Sequence, residues 1–143
     1  METKHLTNLE DISRFVHGGN AVFTLVSKAT GTRYTYKVRS AKDDKDLKFV
    51  SVMYGSDNTS HYAYFGMLRG KHFQHATKKT TIVKSDIRAH AFAWFNYWLV
   101  QERLMDTLEF WHEGKCACCG RRLTVPESIA SGIGPECAKR YAV

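Results

Sequence analysis

Apolar residues recur along this chain with two periods, and the changes between them divide it into strands and helices. Residues 7–19, TNLEDISRFVHGG, place Leu9, Ile12 and Val16 on one face of a short helix, with Thr7 and Glu10 spaced as a capping box and Gly18 and Gly19 ending it. Period two takes over in NAVFTLVSKATGTRYTYKVRS, where β-branched and aromatic residues on both sides of Ala29, Thr30 and Gly31 predict a hairpin. On its second strand Tyr34, Tyr36 and Val38 alternate with Thr35, Lys37 and Arg39, so one face is apolar and the other polar and basic. After the polar stretch 41–46, LKFVSVMYG and SHYAYFGMLRG predict two more strands about a turn at residues 56–59. A sheet of about four antiparallel strands follows.

A helical period returns from residue 86 to about residue 105, with Ser85 available as a cap. Ile87, Ala91, Trp94, Trp98 and Met105 fall near one stripe, and Phe92, Phe95 and Leu99 form a neighbouring one. A helix apolar over more than half its circumference is expected to lie between the sheet and another element, for which the C-terminal segment is the natural candidate. TLEFWHE then alternates like a strand and ends on His112. The expected fold is α+β: a small antiparallel sheet, a long helix packed across it, and a C-terminal treble-clef-like zinc knuckle. The organisation is a body over 1–106 and a zinc-binding module over 107–143, packed as one unit because no proline-rich or low-complexity linker separates them.

The knuckle rests on HEGKCACCGRRLTVPESIASGIGPEC, where His112, Cys116, Cys119 and Cys137 supply the soft and borderline ligands that a tetrahedral zinc ion takes. Gly120 relieves the backbone after the Cys-x-x-Cys turn, and Arg121 and Arg122 lower the cost of negative sulfur. Pro135 suits the start of a short helix whose first turn would hold Cys137 near free amides. Cys118 is read as the spare thiol, since adjacent cysteines do not chelate one ion together with Cys116 as readily as the Cys116 and Cys119 pair does. Two disulfides or buried free thiols are the competing readings. The clustering in the last quarter of the chain and the lack of a signal-peptide pattern weigh against them.

The run CACCGRRLTVPESIASGIGPECAKR resembles a small family of modules of unknown function, common in bacteriophage and bacterial proteins, with a Cys-x-x-Cys-Gly-Arg-x-Leu, Ser, Gly-x-Gly-Pro-x-Cys pattern. The matching positions are Cys116, Cys119, Gly120, Arg121, Leu123, Ser128, Gly132, Gly134, Pro135 and Cys137. Upstream, the Thr-Gly-Thr-Arg-Tyr hairpin and the Tyr-x-Tyr-x-Gly strand are similar to the bodies of phage accessory proteins that end in this module. The resemblance implies metal binding and a phage-type origin, hence a cytoplasmic place in a bacterial host cell. It implies no activity.

Composition narrows the function classes. The chain of 143 residues is 43% hydrophobic, ample for a core, and its longest apolar run, AFAWFNYWLV, falls well short of the roughly 20 residues that span a bilayer. No membrane role is expected. The net charge of +7 favours polyanions or an acidic protein surface. It is unevenly placed: residues 51–100 carry Arg69, Lys71, Lys78, Lys79, Lys84 and Arg88 against Asp57 and Asp86, whereas residues 101–143 are balanced.

Three functions are compatible with this pattern. In the first, the chain binds nucleic acid, DNA or RNA, through those cations with Lys37 and Arg39 beside Tyr62 and Tyr64, phosphates meeting charge and bases stacking on rings. The tyrosines are expected to face away from the helix, because their hydroxyls prefer water. In the second, it is a counter-defence inhibitor, anti-CRISPR-like, that blocks a host defence protein complex by protein contact. Trp94, Phe95, Trp98 and Trp111 would supply the contact, and a strongly exposed tryptophan would favour this reading. In the third, it is a metal-dependent nuclease built from scattered Asp57, Asp86 and histidines. That is the weakest, since no catalytic motif is present and four closed ligands leave zinc no open position.

Overall fold

The computed structural model describes residues 5–54, 61–103, 106–123 and 131–134. The first strand, β1 (His5–Leu6), precedes helix α1 (Leu9–Val16); then come β2 (Asn20–Ser27), β3 (Arg33–Ser40), β4 (Leu47–Met53), β5 (Tyr62–Arg69), β6 (His72–His75), helix α2 (Ile87–Val100) and β7 (Leu108–His112). The strands form one antiparallel sheet in the order β1-β7-β2-β3-β4-β5-β6. The protein is α+β. Its sheet is wider than the four strands read from the sequence, because β7 returns beside β2 and the short β1 and β6 close the two edges. Strands as short as His5–Leu6 have too few residues for a period to show.

Helices α1 and α2 both pack on one face. Phe15 of α1 meets Phe23, Phe110 and His112, while Phe92 of α2 meets Tyr36, Phe65, Phe73 and Phe95. The sheet residues beneath them are Ala21, Phe23, Leu25, Tyr36, Val38, Val50, Val52, Phe65, Leu68 and Phe110, all buried. The Tyr36 hydroxyl donates to the Arg88 carbonyl at 2.6 Å, pinning the first turn of α2 to the middle of the sheet. A bulge sets Phe65 without a partner between the Val50–Gly66 and Ser51–Tyr64 pairs, which bends β5 toward α2. Gly66 is obligatory there: a Cβ would stand 2.5 Å from the Phe73 ring.

The helix caps and the buried face of α2 differ from the local expectations. The cap of α1 is Asn8, whose Oδ1 accepts from the Glu10 and Asp11 amides, and that of α2 is Asp86, which accepts from the Arg88 amide. The capping spacing points to Thr7 and Ser85, but in each case the polar side chain one residue later meets the free amides. Helix α2 ends at Val100, and Met105 lies outside the described residues. Its buried face is Ala89, Phe92, Phe95, Asn96 and Leu99, the neighbouring stripe. Ile87 is 67% exposed and Trp94 48% exposed, so among the described residues α2 is a one-sided helix on the sheet. No helix of the described residues is long and apolar enough to cross a membrane.

Candidate metal turn and sheet-face interface

The C-terminal segment starts inside the sheet. Strand β7 is hydrogen-bonded between β1 and β2, and it turns His112 toward the helices, where the ring stacks on Phe15 at 5.6 Å. A tight hairpin follows: Lys115 bridges Arg122, the Leu123 amide donates to the Gly114 carbonyl at 2.8 Å, and the Cys116 amide donates to the Arg121 carbonyl at 2.8 Å. Gly120 turns the chain at φ 77°, in the region that glycine adopts without strain. The hairpin tip carries Cys116, Cys118 and Cys119.

The surroundings of Cys116 favour its anionic form more than free solution does. Its side chain is fully buried, yet its Sγ accepts the Gly134 amide at 3.2 Å and the Cys118 amide at 3.4 Å. Burial alone would raise its pKa; the amides of Gly134, Cys119 and Cys118 and the Cys119 thiol outweigh that and bring it down to about 7. Cys119 is exposed beside it. His112 is buried, and its Nδ1 accepts the Gly114 amide at 2.9 Å. A neutral ring that accepts at Nδ1 carries its proton on Nε2, so ligation through this imidazole requires the Gly114 contact to open. Cys137 lies outside the described residues, and among those described no group of three or more potential ligands converges. Cys116 and Cys119 thus stand beside one another on the turn, while His112 is held by the Gly114 amide.

The turn is seated on the body through its backbone. The Asn20 amide donates to the Ala117 carbonyl at 2.6 Å, Asn20 Nδ2 donates to the Cys118 carbonyl at 2.8 Å, and the Ala117 amide donates to the Gly132 carbonyl at 3.0 Å. Gly18 leaves room for this contact, since a Cβ there would lie 2.7 Å from the Ala117 carbonyl oxygen. Gly18→Ala is expected to cost about 1–3 kcal/mol, as overpacking does. Denaturant unfolding measures the loss, and hydrogen exchange should place it at the amides of 117–119.

The second candidate site is the sheet face opposite the helices. Register brings Lys37 level with Ser51 and Tyr64, and Arg39 level with Phe49, Met67 and Gln74. Lys37 Nζ lies 5.0 Å from the centre of the Tyr62 ring. Phe49, 40% exposed, meets Tyr64 edge to face at 6.0 Å. Trp111, on this face of β7, stacks on His5 at 4.7 Å. Strands β2–β6 hold five basic residues, Arg33, Lys37, Arg39, Lys48 and Arg69, and no aspartate or glutamate. Of these only Lys48 is buried on the helix side, donating to the Lys45 carbonyl.

The remaining expected cations are dispersed. Arg69 is exposed on the open face, 3.6 Å from Asp44. Lys71 occupies the β5–β6 turn, its carbonyl accepting from Asn96 of α2. Lys78 and Lys79 precede Thr80, which donates to the Tyr64 carbonyl at 2.6 Å and so places them at the β5 edge. Lys84 lies on the helix side, beside a groove lined by His75 and His90. Arg88 is committed to Asp86 at 2.8 Å, a contact that holds the Asp86 carboxyl down at about 2. Asp86 is thus a helix cap with an ion-pair partner, and Asp57 lies outside the described residues. Phe49 was missed on sequence. Alternation in 47–53 does set it apart from Val50 and Val52, but nothing local says which set faces the helix.

Fold and sites together define an α+β protein with a basic, aromatic sheet face that no helix among the described residues covers, and a cysteine turn after β7. Residues 106–142, which hold β7 and that turn, are similar to a family of unknown function (DUF6011). Neither a curated protein nor a solved structure matches the chain.

Proposed function

We propose that the chain is a zinc-binding accessory protein of the phage type that binds nucleic acid on the sheet face opposite α1 and α2. The observation that carries this is the composition of the β3–β6 part of that face: Lys37, Arg39 and Arg69 around Phe49, Tyr62 and Tyr64, on strands that contain no acidic residue, with Glu109 and Glu113 set apart toward β7. Cations on such a surface gain affinity by releasing condensed counterions from phosphates, and rings accept bases of any sequence. Zinc at Cys116, Cys119, Cys137 and His112 would be structural, holding the hairpin and the segment after Gly134 against the body as an extension of the core.

The test is the affinity of the zinc-loaded protein for labelled oligonucleotides across a salt series. Lys37→Gln with Arg39→Gln should weaken binding uniformly across sequences and flatten the logarithmic salt slope by about 1.4, two phosphate contacts' worth. Lys84→Gln, on the helix side, should change neither. A loss confined to one sequence, or a slope that does not move, contradicts the assignment.

A second reading has its own observation. Trp94 and Tyr97 are 48% and 50% exposed on the outer face of α2, stacked on each other at 5.6 Å, with Trp98 edge-on to both. Exposed stacked aromatics are the residue types that anchor protein interfaces, here with a host defence complex. Trp94→Lys would then abolish capture of that complex and leave oligonucleotide affinity intact. The reverse outcome assigns these rings no such role.

A further inference from the structure

We infer that the ligand of the sheet face opposite α1 and α2 is single-stranded nucleic acid, its bases stacked on Phe49 and Tyr64 and its phosphates held by Lys37, Arg39 and Arg69. This rests on the nucleic-acid reading above and adds the strand form. The first ground is width. The row through Phe49 crosses five strands, from Asn20 on β2 to Gln74 on β6, and at a spacing of about 4.8 Å makes a surface about 19 Å across, whereas the major groove of a duplex, about 12 Å wide, admits only a helix or a two-stranded ribbon. The face therefore cannot enter a duplex groove, and rings in its interior cannot reach paired bases.

The second ground is where the rings stand. Phe49 on β4 has β3 and β2 beyond it on one side and β5 and β6 on the other in its own row, so it lies inside the platform and away from its rim, with Tyr64 beside it where β5 runs past the end of β6. Rim cations with a polar interior would suit a duplex, which offers only phosphates to a broad surface. An exposed phenylalanine in the interior suits unstacked bases, which present a π-face.

The third ground is the relation of charge to ring. Arg39 is the direct cross-strand neighbour of Phe49, and Lys37 stands in the same row as Tyr64 with Ser51 between them. Arg69 closes the β5 end of the face next to His72. Its contact with Asp44 is an exposed pair at 3.6 Å, which binds weakly and yields to a phosphate. Cations thus stand beside the rings along β3 and at the far end of β5, an arrangement in which a backbone runs past the platform while its bases turn inward. Met67 and Gln74, in the Arg39–Phe49 row, add an apolar contact and an amide that can meet a base edge.

The experiment measures anisotropy of the zinc-loaded full chain with one mixed-sequence DNA of about 16 nucleotides, single-stranded and as its duplex, and with the matching RNA strand. The single strands should bind at least about tenfold tighter than the duplex. Phe49→Ala and Tyr64→Ala should each lower single-strand affinity about 5- to 150-fold without changing the salt slope, and Phe49→Tyr should restore it. Phe49 is partly exposed, so its alanine variant should keep its melting temperature and report binding alone. Equal affinity for strand and duplex, with both alanine variants silent, overturns this inference and leaves nucleic-acid binding standing. Absence of binding to all three probes removes the parent reading with it.

Discussion

Replacing Cys116 with serine is expected to abolish zinc retention and to unfold at least the C-terminal third of the chain, while Cys118→Ser leaves both metal content and melting temperature unchanged. The two residues are neighbours on one hairpin tip, and their environments differ. Cys116 Sγ is fully buried and receives two backbone amides, one of them from Gly134, which belongs to the far side of the module. A serine hydroxyl there is neither a soft ligand nor readily an anion. Structural zinc sites contribute about 10–16 kcal/mol of apparent free energy, comparable with the whole stability of a domain, about 5–15 kcal/mol. The loss should spread, because Ala117, Leu123 and Ile133 belong to the common core with Phe15. Metal analysis of purified variants, with thermal melts before and after chelation, reads the effect. Cys119→Ser and Cys137→Ser should match Cys116→Ser, and equal metal loss in Cys118→Ser rejects the ligand set. His112→Ala that still retains stoichiometric zinc would show that the Gly114 contact stays closed and that another group completes the site.

The second large effect lies in α2, two residues apart in sequence and on opposite sides of the helix. Phe92→Ala should destabilise the protein by about 3–5 kcal/mol, the range for truncating a core phenylalanine. Its ring touches Tyr36, Phe65, Phe73 and Phe95, so a cavity there removes contacts to both β3 and the bulged strand β5. Trp94→Ala, despite deleting a larger side chain, should stay within about 0.5 kcal/mol, as exposed substitutions do. Urea unfolding of the two variants decides the matter. Comparable losses would mean that the outer face of α2 is covered in the folded protein.

The contrast between these two positions shows how far periodicity reaches. In residues 87–100 nearly every side chain is apolar, so two stripes satisfy a helical period equally well and local pattern cannot rank them. The sheet ranks them: Phe92 and Phe95 meet Tyr36, Phe23 and Phe110, leaving Trp94 and Tyr97 outside. Strand β3 is more legible because polar and apolar residues alternate along it. Tyr36 and Val38 against Lys37 and Arg39 left only the direction open, and a helix lying over Tyr36 supplied it. Edge strands β1 and β6 escaped, being too short to carry a period.

Local chemistry was therefore sufficient wherever the controlling interaction spans a few residues. The Cys116 and Cys119 chelate spacing, the turn at Gly120, the α+β class and the basic face of residues 33–40 all rest on neighbours in the chain, and all could be read from it. What only the tertiary structure decided depends on residues distant in sequence. The return of 108–112 beside β2 places His112 against Phe15, Gly18 opens a seat for Ala117, and cross-strand register sets Arg39 beside Phe49 and Lys37 in line with Tyr64. Burial and register are settled by which surfaces cover one another, and that choice belongs to the whole chain at once.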